Sequence, residues 1–107
     1  MKTISASELA AWLADSTREP PLLLDVREPW ETQICRIEGS ELVPMQSLPA
    51  RLGELDPDRP TVCLCHLGGR SMRVAMFLAG QGFKDVSNLT GGVDAWARQV
   101  DTTMPTY

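Results

Sequence analysis

Two short runs, Leu22-Leu23-Leu24-Asp25-Val26 and Thr61-Val62-Cys63-Leu64-Cys65, constrain this chain more than anything else in it. The first is apolar at consecutive positions, broken only near its end by Asp25, and the second is β-rich and nearly as apolar. Neither alternates apolar with polar residues, which is the pattern of a strand covered on both faces. Strands of that kind belong to parallel sheets, whose neighbours must be joined by crossovers long enough to hold a helix.

The intervening sequence supplies such crossovers. Ser5-Ala6-Ser7-Glu8 has the Ser-x-x-Glu capping-box form, and Leu9, Trp12 and Leu13 follow at helical spacing, which predicts a helix ending near Asp15, closed by Arg18 to Pro21. Glu41 to Pro44 reads as a brief strand, and Leu48, Leu52 and Leu55 as a helical stripe closed by Asp56-Pro57-Asp58-Arg59-Pro60. Ser71 to Gln81, stopped by Gly82, is a helix apolar nearly all round, so Met72 and Met76 are expected in the core. Asp85 to Leu89 is a further strand, Gly91-Gly92 a turn, and Val93 to Val100 a closing helix whose Trp96, like Trp12, is read as core. Beyond Asp101 the chain is expected to be loose. The fold class is therefore α/β, an open parallel sheet with helices on both faces. In such folds ligands bind at the carboxyl ends of the strands.

With 107 residues, 43% of them hydrophobic, positions 1–107 suit a single domain, because two cores of half that size would bury too little surface. Ten basic residues against fourteen acidic ones, with no Lys/Arg-rich run, argue against a nucleic-acid partner or a polybasic membrane patch. Met1 to Ser7 lacks the pattern of a secretory signal, and no apolar stretch approaches the roughly 18 residues that span a bilayer. A cytoplasmic protein is expected, and no feature commits it to an oligomer. Three cysteines, Cys35, Cys63 and Cys65, form no disulfide framework, which fits a reducing compartment.

Function is carried by Cys65-His66-Leu67-Gly68-Gly69-Arg70-Ser71, which joins the carboxyl end of a buried strand to the start of a helix. Gly68 and Gly69 permit backbone angles closed to other residues, so the loop can curl until several N–H groups point at the Cys65 sulfur. The helix beginning near Ser71 adds its unpaired first-turn N–H groups, and Arg70 offers a cation at the rim. Thiols in such surroundings titrate between roughly 3.5 and 7.5, instead of near 8.5, and are nucleophiles at neutral pH.

These residues match C-x-x-G-x-R-S/T, the active-site motif of the rhodanese homology family, through Cys65, Gly68, Arg70 and Ser71. The resemblance extends along the chain. Asp25-Val26-Arg27-Glu28-Pro29-Trp30-Glu31 is similar to the family's D-V-R-E-P-x-E. Ile37, Gly39 and Pro44 fit H-I-x-G-A-x-x-I-P, and Leu89-Thr90-Gly91-Gly92-Val93-Asp94-Ala95-Trp96 resembles L-x-G-G-x-x-A-W. The resemblance implies a single rhodanese-like domain with five parallel strands, and a sulfurtransferase that needs no metal or organic cofactor. Cys65 would take the outer sulfur of a small anionic donor such as thiosulfate as a persulfide. It would then pass that sulfur to cyanide, a thiol or a cysteine of a partner protein. Asp25, Arg27 and Glu31 would hold neighbouring loops rather than catalyse. The chain departs from the pattern with Cys35 for Gly, Arg36 for His, Glu38 for Pro and Ser40 for Ala, departures that bear on substrate-side contacts and not on the nucleophile.

Other readings of the same residues are weaker. Related folds use a thiolate and an arginine as phosphatases or arsenate reductases, but with five residues between Cys and Arg, where this chain has four. A binding or regulatory module on this fold would most readily show itself by losing the nucleophile, and Cys65 is present. Cys35, Cys63, Cys65 and His66 lack the paired Cys-x2-Cys spacing of structural zinc sites. Cys63 is read as core, and Cys35 as structural rather than as a disulfide partner of Cys65. His66 either tunes the thiolate, meets an anionic donor, or faces solvent. Arg36 and Arg73 are candidates to draw an anion to the entrance, with Trp30 partly exposed nearby.

Overall fold

A computed structural model describes residues 1–107. Five strands form one sheet: β1 (Lys2–Ile4), β2 (Leu22–Asp25), β3 (Glu41–Leu42), β4 (Thr61–Leu64) and β5 (Val86–Leu89). Their order is β1-β5-β4-β2-β3, and every pair is parallel. The two apolar runs lie side by side at the centre, with Leu24 opposite Cys63 and Asp25 opposite Leu64.

Alternate residues of those strands feed two cores. Leu22, Leu24, Cys63 and Cys65 pack on one face with Val74, Ala75 and Leu78 of α4 (Gly69–Gly80). Leu23, Val62 and Leu64 pack on the other face with Leu9 and Trp12 of α1 (Ala6–Ala14) and Trp96 of α5 (Gly92–Gln99). This two-sided burial is why neither run alternates. The capping box at Ser5 is present, its side chain accepting from Glu8 N–H while Glu8 accepts from Ser5 N–H.

The elements depart from expectation in several places. β1 is a strand of three residues with two of them exposed, too short to carry a periodic signal. α2 (Pro29–Ile34) starts at a proline, with Glu28 at the N-cap and Glu31 Oε2 accepting from Glu28 N–H at 2.8 Å. β3 is two residues long, and the stripe at 48–55 is a four-residue α3 (Leu48–Arg51) between two single 3-10 turns. α4 begins at Gly69, two residues before the expected start. Met76 lies on its outer face at 60% exposure, because one helix layer covers this side of the sheet and nothing packs beyond it. The segment after Asp101 is docked rather than loose, with Met104 and Tyr107 packed against the second core.

Candidate active site

Cys65 stands one residue past the end of β4, where the chain turns toward α4. Gly68 caps that helix at φ +108°, a conformation that strains any residue with a Cβ, and this turn carries the chain back over the sulfur. Cys65 Sγ accepts from Gly68 N–H at 3.1 Å, Ser71 N–H at 3.4 Å and the Ser71 hydroxyl at 3.3 Å. The Gly69 and Arg70 N–H groups occupy the first turn of the same helix, where no carbonyl of that helix can reach them. Gly69 itself has an ordinary φ and open space around it, so only one of the two glycines meets the conformational demand expected of both.

Three of the loop carbonyls are occupied by neighbours. Cys65 C=O accepts from Val93 N–H at 2.9 Å and His66 C=O from Asp94 N–H at 3.2 Å, both donors in the first turn of α5. Gly68 C=O accepts from the Asn88 side chain at 3.2 Å. With its acceptors committed to neighbours, the loop presents donors to the sulfur.

Burial, the largest single influence on Cys65, opposes ionisation, yet the hydroxyl and N–H of Ser71 with the N–H groups of Gly68 and Leu67 outweigh it and hold the thiol below its ordinary value. Cys63, two residues back on the same face, has no such donors. Burial, and the Cys65 charge after it, push its thiol up to about 12. Cys35 packs in the opposite core, and all three thiols are free. No three His, Cys, Asp or Glu side chains converge as metal ligands would, and no helix is long and apolar enough to cross a membrane.

Arg70 does not reach for the sulfur. Its guanidinium forms a two-pronged pair with Glu31 at 2.7 Å on each side, tying the start of α4 to α2. Asp25 and Arg27 form a second pair, fully buried, at 2.7 Å, and Arg27 also donates to the Cys35 carbonyl at 2.9 Å. These ties join the ends of β2, α2 and α4. Arg36 donates to Ser40 C=O and lines a groove with Leu13, Ile37 and Trp96. Arg73, without an ion-pair partner, borders an apolar groove formed by Met45, Leu48, Pro49 and Phe77. Trp30 and Leu67 are exposed at 60% and 62%, Trp30 edge-on to Tyr107. His66 makes no hydrogen bond to Cys65 and is stacked on Tyr107 rather than facing solvent.

Asn88 and Tyr107 lie outside the motifs that mark the site in the sequence. Asn88 carried a signal, a polar residue inside an otherwise buried strand, whereas Tyr107 carried none.

The Glu31 pair has a pH signature. The Arg70 fork outweighs burial and, with Glu28 N–H and the Tyr107 hydroxyl, depresses the Glu31 carboxyl from 4.5 to about 2. A depressed carboxyl stabilises the fold fully above its unfolded value, and that contribution is lost as pH falls from 4.5 toward 2. Allowing for the partial exposure of Arg70, the loss is about 2 kcal/mol. Urea unfolding at pH 6 and pH 3 is expected to show more than half of it, and Glu31→Gln is expected to remove that part of the difference.

A parallel α/β sheet that ends a central strand on a thiol, with N–H groups of the following turn and helix directed at its sulfur, defines a class of small thiol-centred folds. The chain belongs to the rhodanese-like domain family, whose model matches residues 5–99. It is 39% identical over 95 residues to a protein named Sulfurtransferase from Allochromatium vinosum, covering 89% of this chain and 87% of that one. It is also 39% identical over its whole length to the rhodanese-like/PpiC domain-containing protein 12, chloroplastic, of Arabidopsis thaliana, of which it spans 38%. The crystal structure of a rhodanese-like domain protein from Staphylococcus aureus superposes with a TM-score of 0.83 at 33% identity, covering 90% of this chain and 91% of that one.

Proposed function

We propose that the protein is a sulfurtransferase in which Cys65 carries sulfur as a persulfide. The observation that carries this reading is the Cys65 sulfur, which receives three hydrogen bonds from Gly68 and Ser71. The relative named Sulfurtransferase supports it.

In the first step the Cys65 thiolate attacks the outer sulfur of thiosulfate. A new S–S bond forms, the old one breaks, and sulfite leaves with its electron pair. The persulfide left on Cys65 is an anion, and the free N–H groups of Gly69 and Arg70 are suited to receive its terminal sulfur. In the second step a cyanide or thiolate acceptor attacks that terminal sulfur and departs with it, and the Cys65 thiolate is restored. Because each step moves one sulfur and one electron pair between nucleophiles, the reading requires no metal or organic cofactor. A partner protein's cysteine serves as acceptor by the same chemistry.

Mass spectrometry of the intact protein after exposure to thiosulfate is the test. One added sulfur atom is expected on the wild type, on Cys63→Ser and on Cys35→Ser, and none on Cys65→Ser. Sulfur found on another cysteine would refute the assignment.

A further inference from the structure

The segment after α5 ends against the Cys65 loop. Tyr107 lies parallel on the His66 imidazole, with ring centroids 3.9 Å apart and planes 10° from parallel. Its hydroxyl donates to Glu31 Oε1 at 2.8 Å and accepts from Arg27 Nη1 at 3.1 Å. Glu31 Oε1 is the same oxygen that accepts from Arg70 Nη2 at 2.7 Å. A single side chain therefore touches the residue after the nucleophile and both ion pairs beside the site.

Little else orients His66. Its ring makes no hydrogen bond within the chain, and Nε2 is buried without a partner, so the stack is the contact that sets the ring's direction. The phenol is a dependable donor. Burial, helped by Glu31 against the pull of Arg27, pushes it up to about 12, so it stays protonated across neutral pH.

We propose that Tyr107 is a positioning residue for the Cys65 loop, its ring fixing His66 and its hydroxyl holding Glu31 where it pairs with Arg70. The loop is thereby tied at residues 66 and 70, on either side of the Gly68 N–H and next to that of Ser71. Hydrogen bonds weaken steeply as the donor swings off line, so small freedom at these ties loosens the sulfur cradle. This role rests on Cys65 being the nucleophile, but it concerns the geometry of the cradle rather than the identity of the donor.

Alkylation of Cys65 by iodoacetamide across pH reads the thiolate directly and needs no sulfur transfer. The ionisable groups that act on that sulfur are Cys63 and Arg70, with Glu31 and Tyr107 beside Arg70 and Asp94 beside His66. Tyr107→Leu, which loses both ring and hydroxyl, is expected to raise the midpoint by about half a pH unit, lowering the thiolate fraction about threefold below it. Tyr107→Phe keeps the stack and is expected to fall between that variant and the wild type. Leu22→Ala weakens the core at the amino ends of the central strands, where Leu22 stands opposite Thr61, and is expected to lower the melting temperature with the midpoint unchanged. A wild-type midpoint in Tyr107→Leu, or an equal shift in Leu22→Ala, would overturn the proposal. Should the wild type ionise early yet take no sulfur from thiosulfate, the transfer reading would fail while the Tyr107 result stood.

Discussion

Gly92→Ala is expected to destabilise the protein by about 3 to 5 kcal/mol and to abolish the sulfur cradle in what remains folded. A Cβ at position 92 would stand 2.3 Å from the Cys65 carbonyl oxygen and 2.5 Å from that of His66, both backbone atoms with nowhere to move. The residue also has φ +58°, which adds strain for any side chain. The contact it would break is the one that lets α5 take the loop carbonyls and leave the loop N–H groups for the sulfur. Against a total stability of roughly 5 to 15 kcal/mol for a domain, the loss is a large share. Thermal and urea unfolding read the first effect, and the pH midpoint of Cys65 alkylation reads the second. Gly69→Ala is the contrast. Its backbone is ordinary and its surroundings are open, so the same added methyl is expected to leave stability unchanged or slightly higher. Wild-type stability in Gly92→Ala would mean that α5 does not sit this close.

Arg27→Met is expected to cost about 3 to 5 kcal/mol, because it leaves the Asp25 carboxylate buried without its countercharge. Arg27 is wholly buried, and Asp25 is 1% exposed. The guanidinium makes three bonds to that carboxylate at 2.7 to 3.1 Å and also satisfies the Cys35 carbonyl and the Tyr107 hydroxyl. Methionine fills much of the volume and makes none of these bonds. The double variant Asp25→Ala with Arg27→Met removes the stranded charge and is expected to recover part of the loss, which a double-mutant cycle in urea measures. A double variant as unstable as the sum of the two singles would mean that the pair is uncoupled.

Much of the site was readable because its parts are neighbours in the chain. Cys65, Gly68, Arg70 and Ser71 fall within seven positions, and the apolar runs place that segment at a strand end. The partner of Arg70 was not readable, since Glu31 lies 39 positions away and is brought there only by the pairing of β2 with β4. Nor was the docking of Tyr107, 76 positions from Glu31, because one aromatic residue at the end of a short segment without regular patterning carries no periodic signal. Met76 was misplaced for a related reason. An apolar residue on a helix announces burial only if a second layer exists to bury it, and none covers that face of α4.

The amino-acid sequence alone determined that this chain forms a parallel sheet and ends a central strand on a thiol beside glycines and a helix start. Those outcomes depend on local conformational preference and on apolar patterning, and both are written into consecutive residues. The tertiary structure decided which N–H groups face Cys65, which carboxylate holds Arg70, and which ring holds His66. Those outcomes are separations of a few ångströms between distant segments. They follow from the strand order β1-β5-β4-β2-β3 and from the close approach that a missing side chain at Gly92 allows.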